Sequence, residues 1–151
     1  MNFKKLTLST LLLTGLFLFS CKKKEVAEVS SVPQISFEDV SPDVAKSQED
    51  SLVFTLSYVD GDGDLGENDP NVKNVFITDS RIKITDSLRI QQLSPTASGI
   101  TIRGKFKIIL DRTLITDTTF SVQKVHFDIQ VRDRAGHLSN TVSSSEITVL
   151  K

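Results

Sequence analysis

The sequence predicts an all-β domain, an antiparallel β-sandwich of about seven strands, and three observations carry that expectation. Within residues 21–151, Val, Ile and Thr number 14, 12 and 11 against 4 Ala and 9 Leu, a balance that favours strands over helices. Apolar and polar residues alternate with period two through several segments. Clusters of Asp, Gly, Pro, Ser and Asn separate those segments at the spacing of a sandwich rather than of strand–helix–strand units. With 151 residues, 38% apolar and 25% charged, the chain has room for one ordinary domain.

The N-terminal element reads as an address. Met1 to Lys5 is basic, Leu6 to Phe19 is an apolar run, and Leu18-Phe19-Ser20-Cys21 closes it. Such a run is shorter than the ~20 residues needed to cross a bilayer core, so residues 1–20 read as a cleaved signal peptide. The ending resembles the lipobox of bacterial lipoproteins, with Leu three places before the cysteine and a small residue directly before it. Cys21, the only cysteine of the chain, has no intramolecular partner and is expected to carry the lipid that holds the protein to a membrane. Residues 21–32, with Lys22-Lys23-Lys24-Glu25, form a solvated tether whose lysines touch anionic headgroups only incidentally. Residues 33–151 form the domain.

The strands follow in order. Gln34 to Phe37 is the first. In Leu52 to Val59, Leu52, Phe54, Leu56 and Tyr58 share one face, opposed by a half-apolar face of Val53, Thr55, Ser57 and Val59. Asn74 to Thr78 and a strand within Arg81 to Gln92 come next; the similar heptapeptides Ile77 to Lys83 and Ile84 to Ile90 mark two neighbouring strands, a single pair being too short for a repeat architecture. Ile100 to Asp111 places Ile100, Ile102, Phe106, Ile108 and Leu110 on one face, with Gly104 marking a bulge or a close approach. Val125, Phe127, Ile129 and Val131 alternate with His126, Asp128, Gln130 and Arg132. Thr141 to Leu150 holds the last strand.

One loop concentrates the chemistry. Directly after Val59 comes Asp60-Gly61-Asp62-Gly63-Asp64-Leu65-Gly66-Glu67-Asn68-Asp69. Its carboxylates repel one another, and the glycines permit the tight turns that aim them inward together. A hard cation relieves the repulsion, and oxygen ligands at alternating positions are the set calcium takes. The expected ligands are Asp60, Asp62, Asp64, the Gly66 carbonyl, Glu67 and Asp69. The opening resembles an EF-hand loop, yet Gly66 falls one place late, position twelve is Asn71 instead of Glu, and a strand precedes it. A calcium loop entered from a β-strand is the expectation; the competing reading is a solvated acidic turn, since close carboxylates in water repel by only ~1 kcal/mol per pair.

The segment Ser57 to Gly66, followed late in the chain by Val131-Arg-Asp-Arg-Ala-Gly-His-Leu-Ser-Asn140, resembles the immunoglobulin-like lipoproteins of the Bacteroidota. The resemblance implies an immunoglobulin-like sandwich in the cell envelope, at the outer membrane, and implies no reaction. Where such domains close with Asp-x-Ala-Gly-Asn, this chain has His137 in the Asn position. In immunoglobulin order the strands ending near Val59 and Val131 are the second and sixth, and the loops after them emerge at one end. Asp133 has the inward parity of Val125 to Val131, where an unpaired carboxylate is costly. It is therefore expected to reach the acidic loop as a further calcium ligand; the alternative is a cap on the turn at Ala135-Gly136.

Several functions are disfavoured. Residues 21–151 carry 16 basic and 19 acidic groups, and nucleic acid wants a concentrated basic face. No Gly-x-Ser-x-Gly elbow is present, His126 beside Asp128 reads as a solvated pair, and His137 lacks the second His or Cys of a transition-metal site. The chain has no Trp and one Tyr, so an aromatic platform for sugars is missing. The expectation is a non-catalytic, lipid-anchored binding or scaffold module with an envelope protein or glycan as partner. The alternative is an accessory polysaccharide-binding lipoprotein with a shallow site on a sheet face around Arg103 or Lys105.

Overall fold

The computed structural model describes residues 29–94 and 99–151; the signal peptide, Cys21 and most of the tether lie outside the described residues. Ten strand segments and no helix occur among them: β1 (Gln34–Ser41), β2 (Val44–Lys46), β3 (Leu52–Asp60), β4 (Val75–Asp79), β5 (Thr85–Leu88), β6 (Ile102–Leu110), β7 (Val122–Val125), β8 (Phe127–Val131), β9 (Val142–Ser143) and β10 (Ile147–Leu150).

One layer is the antiparallel sheet β1-β3-β6. The other runs β5-β4-β8-β9 and continues, past short breaks in two strands, as β7-β10-β2. The breaks fall at His126, between β7 and β8, and at residues 144–146, between β9 and β10. Ser144 bridges them: the Phe127 N–H donates to Ser144 Oγ at 3.0 Å, and Ser144 N–H donates to Phe127 O at 2.9 Å. These breaks, and the short β2, raise the count above the seven expected strands. β2 pairs parallel with β10; its three residues are too few for an alternation to show in the sequence. Ala45 alone of them is buried.

The alternation read in β3 is its burial pattern, with Leu52, Phe54 and Leu56 fully enclosed and the opposite face half-buried. Phe54 meets Phe127 of the facing sheet edge-on at 5.5 Å between ring centres. Gly104 is a close approach and not a bulge, because β3 and β6 keep one register from Leu52↔Leu110 to Asp60↔Ile102. A methyl at Gly104 would sit 3.1 Å from the Tyr58 hydroxyl oxygen. Ile100, expected on the inner face, is 64% exposed because it precedes β6 and has no facing strand. The two similar heptapeptides supply β4 and β5, paired antiparallel as neighbours.

Two asparagines complete the sheets where strands stop. Asn74 accepts from Ile90 N at 2.8 Å and donates to Ile90 O at 3.0 Å. Asn140 does the same to Ile35, at 2.9 Å in both directions. Each amide presents one donor and one acceptor, as a peptide unit would.

Candidate metal centre

Asp60 ends β3 on its inner face, continuing the parity of Leu52, Phe54, Leu56 and Tyr58, and is fully buried. The chain then turns back on itself. Leu65, a lone apolar residue in the acidic loop, is also fully buried and joins the core cluster. Its N–H donates to Asp60 Oδ2 at 2.8 Å. Between these two anchors, Asp62 and Asp64 are drawn over Asp60.

Asp60, Asp62 and Asp64 each offer a carboxylate oxygen, and these atoms lie within 4.8 Å of one another. Oδ1 of each of the three is buried with no hydrogen-bond partner. Burial of a carboxylate without a partner is strongly unfavourable, so three at one point form a group that can hold a metal ion. Electrostatics agree. Burial, together with the neighbouring Asp62 and Asp64 charges, pushes Asp60 up to about 6, against the lowering effect of the Leu65 N–H. Asp64 is raised by burial and by the Asp133 and Asp62 charges, partly offset by the Ala135 N–H and Arg134.

The loop backbone is held from every side. Gly61 N–H donates to Ser30 O at 3.0 Å, Gly99 N–H to Asp62 O at 2.6 Å, and Leu93 N–H to Leu65 O at 3.2 Å. Thr101 Oγ1 donates to Gly61 O at 3.1 Å. Gly66, at φ +90°, lies against Gln91 so closely that a methyl would overlap its carbonyl oxygen.

The remaining expected ligands are engaged elsewhere. Gly66 O accepts from Arg134 Nη1 at 3.0 Å. Glu67 Oε1 accepts from the Asn68 and Asp69 N–H groups, and Asp69 Oδ1 from the Asn71 N–H. Each of these two carboxylates is folded onto its own turn, outside the three-aspartate group.

Asp133 is buried, as its parity implies, and it takes the turn-capping role. Oδ1 accepts the His137 N–H at 2.7 Å and Oδ2 meets His137 Nδ1 at 2.9 Å. The two loops do join, but in the reverse sense to the expectation: Asp64 Oδ2 accepts the Ala135 N–H at 2.9 Å. The aspartate that crosses is thus on the first loop, and the second contributes backbone donors. Leu65 and the Ala135 N–H are the site residues that sequence reasoning missed; a single leucine among acids and glycines was the available signal for the first, and a backbone donor leaves none.

His126 is exposed, and its neighbour Asp128 accepts from Ser143 Oγ at 2.6 Å. Lys105 is paired with Glu38 at 2.7 Å. Beside the acidic loop, Gly66, Glu67, Val72, Asn74, Arg132, Asp133, Arg134 and Gly136 line a depression of about 390 Å³. No protein-family model matches this chain, and neither does any curated protein or solved structure.

Proposed function

We propose that this chain is a non-catalytic, lipid-anchored module of the cell envelope whose β-sandwich binds a calcium ion through Asp60, Asp62 and Asp64 and presents its surface to an envelope partner. The observation that carries the metal reading is the set of three buried Oδ1 atoms without a hydrogen-bond donor. An all-oxygen donor set with no His or Cys suits a hard cation. Calcium fits better than magnesium because it accepts irregular geometry and longer bonds, with water completing its six to eight ligands. The ion acts structurally, replacing mutual repulsion with a shared counter-charge where the strands' loops converge. The envelope setting rests on the resemblance of the acidic loop and closing motif to immunoglobulin-like lipoproteins and on the lipobox-like ending at Cys21.

The test is calorimetric titration of the folded domain with calcium and with magnesium, paired with melting in calcium and in chelator. At a hundred times its Kd, calcium stabilises by about 2.7 kcal/mol, which for a domain of this size raises Tm by roughly 8–13 °C. A melting temperature identical in calcium and chelator overturns the metal reading.

The depression beside the loop favours one second reading, an accessory polysaccharide-binding lipoprotein. It carries Arg132 and Arg134 and has the volume of small-ligand sites. Retention of acidic glycans by the wild-type domain and their loss with Arg134→Ala would select it.

A further inference from the structure

The segment that leads into the sandwich is seated on the metal loop. Ser30 O accepts the Gly61 N–H, between Asp60 and Asp62, and a methyl on Gly61 would overlap the carbonyl oxygens of Val29 and Ser30. Only glycine allows the two backbones this approach. The N-terminal chain therefore joins the body at the metal-bearing end.

The opposite end is distant. β3 spans nine residues from Leu52 to Asp60, so its two ends are about 26 Å apart at ~3.3 Å per residue. Leu52 pairs with Leu110, which sets Leu110 and Leu114 at the far end. The turn holding Ile82 and Ile84 lies there too, since Ile82, Ile84, Leu110 and Leu114 line one shared hollow. Between Cys21 and Val29 the covalent chain can extend at most about 28 Å.

We propose that the metal-bearing end of the sandwich is its membrane-facing end, and that the lipid surface is the partner this end meets. The proposal rests on Cys21 being the lipid-bearing residue. A rigid body held at one pole by a chain whose full extension only about equals the distance between the body's ends keeps that pole nearer the surface, because inverting it requires a fully extended tether to pass around the body. The charge pattern is consistent with this seating. Three bare carboxylates would be repelled by anionic headgroups, and a bound divalent cation offsets two of their three charges. Ile82, Ile84 and Leu114, 44%, 59% and 46% exposed, then point away from the lipid.

The experiment uses the full lipidated chain in vesicles of phosphatidylcholine and phosphatidylglycerol that carry a headgroup quencher, with calcium present. A fluorophore is attached at Lys73→Cys, exposed beside the metal loop, or at Ile84→Cys. Quenching several-fold stronger at position 73 is expected, and Gly61→Ala, which dislodges Val29 and Ser30, should narrow the difference. Equal quenching at both positions, or stronger quenching at position 84, overturns the orientation. A difference untouched by Gly61→Ala overturns the seating of the tether on the loop as its cause. Mass spectrometry of the N-terminal peptide separates the two readings: a Cys21 without lipid overturns the anchor and the orientation together, whereas a lipidated Cys21 with the wrong quenching order overturns the orientation alone.

Discussion

Asp79 and Asp60 each end a strand, one at each end of the sandwich, and each is drawn out of solvent by the strand it finishes. At the Asp79 end the chain supplies its own counter-charge. Arg81 Nη2 meets Asp79 Oδ2 at 2.6 Å with both side chains 13% exposed, the Arg81 N–H donates to Oδ1 at 2.8 Å, and Arg81 Nη1 reaches Gln123 at 3.1 Å. Burial pushes the Asp79 carboxyl up, but its hydrogen bonds to Arg81 and the guanidinium charge outweigh this and hold it below the usual range. At the Asp60 end two further aspartates are packed where a cation would belong, and the carboxyl is pushed up instead. One fold thus closes one end with an internal ion pair and gathers at the other three carboxylates that could hold a metal ion. What distinguishes the two ends is the sign of the nearest residue two places on, Arg81 after Asp79 and Asp62 after Asp60.

The comparison can be broken most forcefully at the internally paired end. Arg81→Met leaves Asp79 without its partner and should cost about 3 kcal/mol, equally in calcium and chelator; a loss that calcium repairs would show the ends are not independent. Asp60→Asn comes next. It should abolish the calcium-dependent gain of about 2.7 kcal/mol while leaving stability in chelator unchanged or higher, since it removes one repelling charge; differential melting in both buffers reads the two effects.

A pH series sharpens the contrast. Asp60 titrates near 6 when folded against 3.8 for an ordinary carboxyl, so the folded state binds the extra proton. In chelator, stability from this group is full below about pH 4 and is lost as pH rises through 6, by roughly 1–3 kcal/mol. Asp79 has the opposite sign, so its contribution is present above pH 4 and is lost only in stronger acid. The calcium-induced rise in Tm should therefore grow between pH 5 and 7.5; a rise independent of pH would contradict the assignment. The smallest effect is expected for Asp133→Asn. Both its oxygens serve His137, so calcium affinity should change by less than the tenfold, about 1.4 kcal/mol, that losing a charged ligand would bring, with a stability loss of about 1 kcal/mol.

The strands that were legible are those with one buried face. β3, β6 and β8 alternate in sequence as they do in burial, and the same parity carried past Tyr58 and Val131 finds Asp60 and Asp133 inside. Parity ends with the strand. Beyond Asp64 the acidic residues follow local turns, and nothing in their spacing says that Glu67 and Asp69 fold onto the N–H groups of residues one or two places after them. The role of Asp133 was open for the same reason, since a buried carboxylate can be satisfied by a cation or by an imidazole four residues on. The seating of Ser30 on Gly61 joins two backbone groups, and Ala135 meets the Asp64 carboxylate through its backbone N–H; backbone atoms carry no sequence signature.

The asparagine that mirrors Ile35 has a consequence for association. β1 borders its sheet, with β3 on one side, and an open border strand is a template on which a second chain can add. By occupying both the N–H and the carbonyl of Ile35, the Asn140 amide terminates the hydrogen-bond ladder with a unit that has no further edge of its own. A strand placed there would offer the next ladder; a side chain cannot. The sheet is finished at that point by a group too short to propagate it, so copies of the chain held close together have no backbone to polymerise through there.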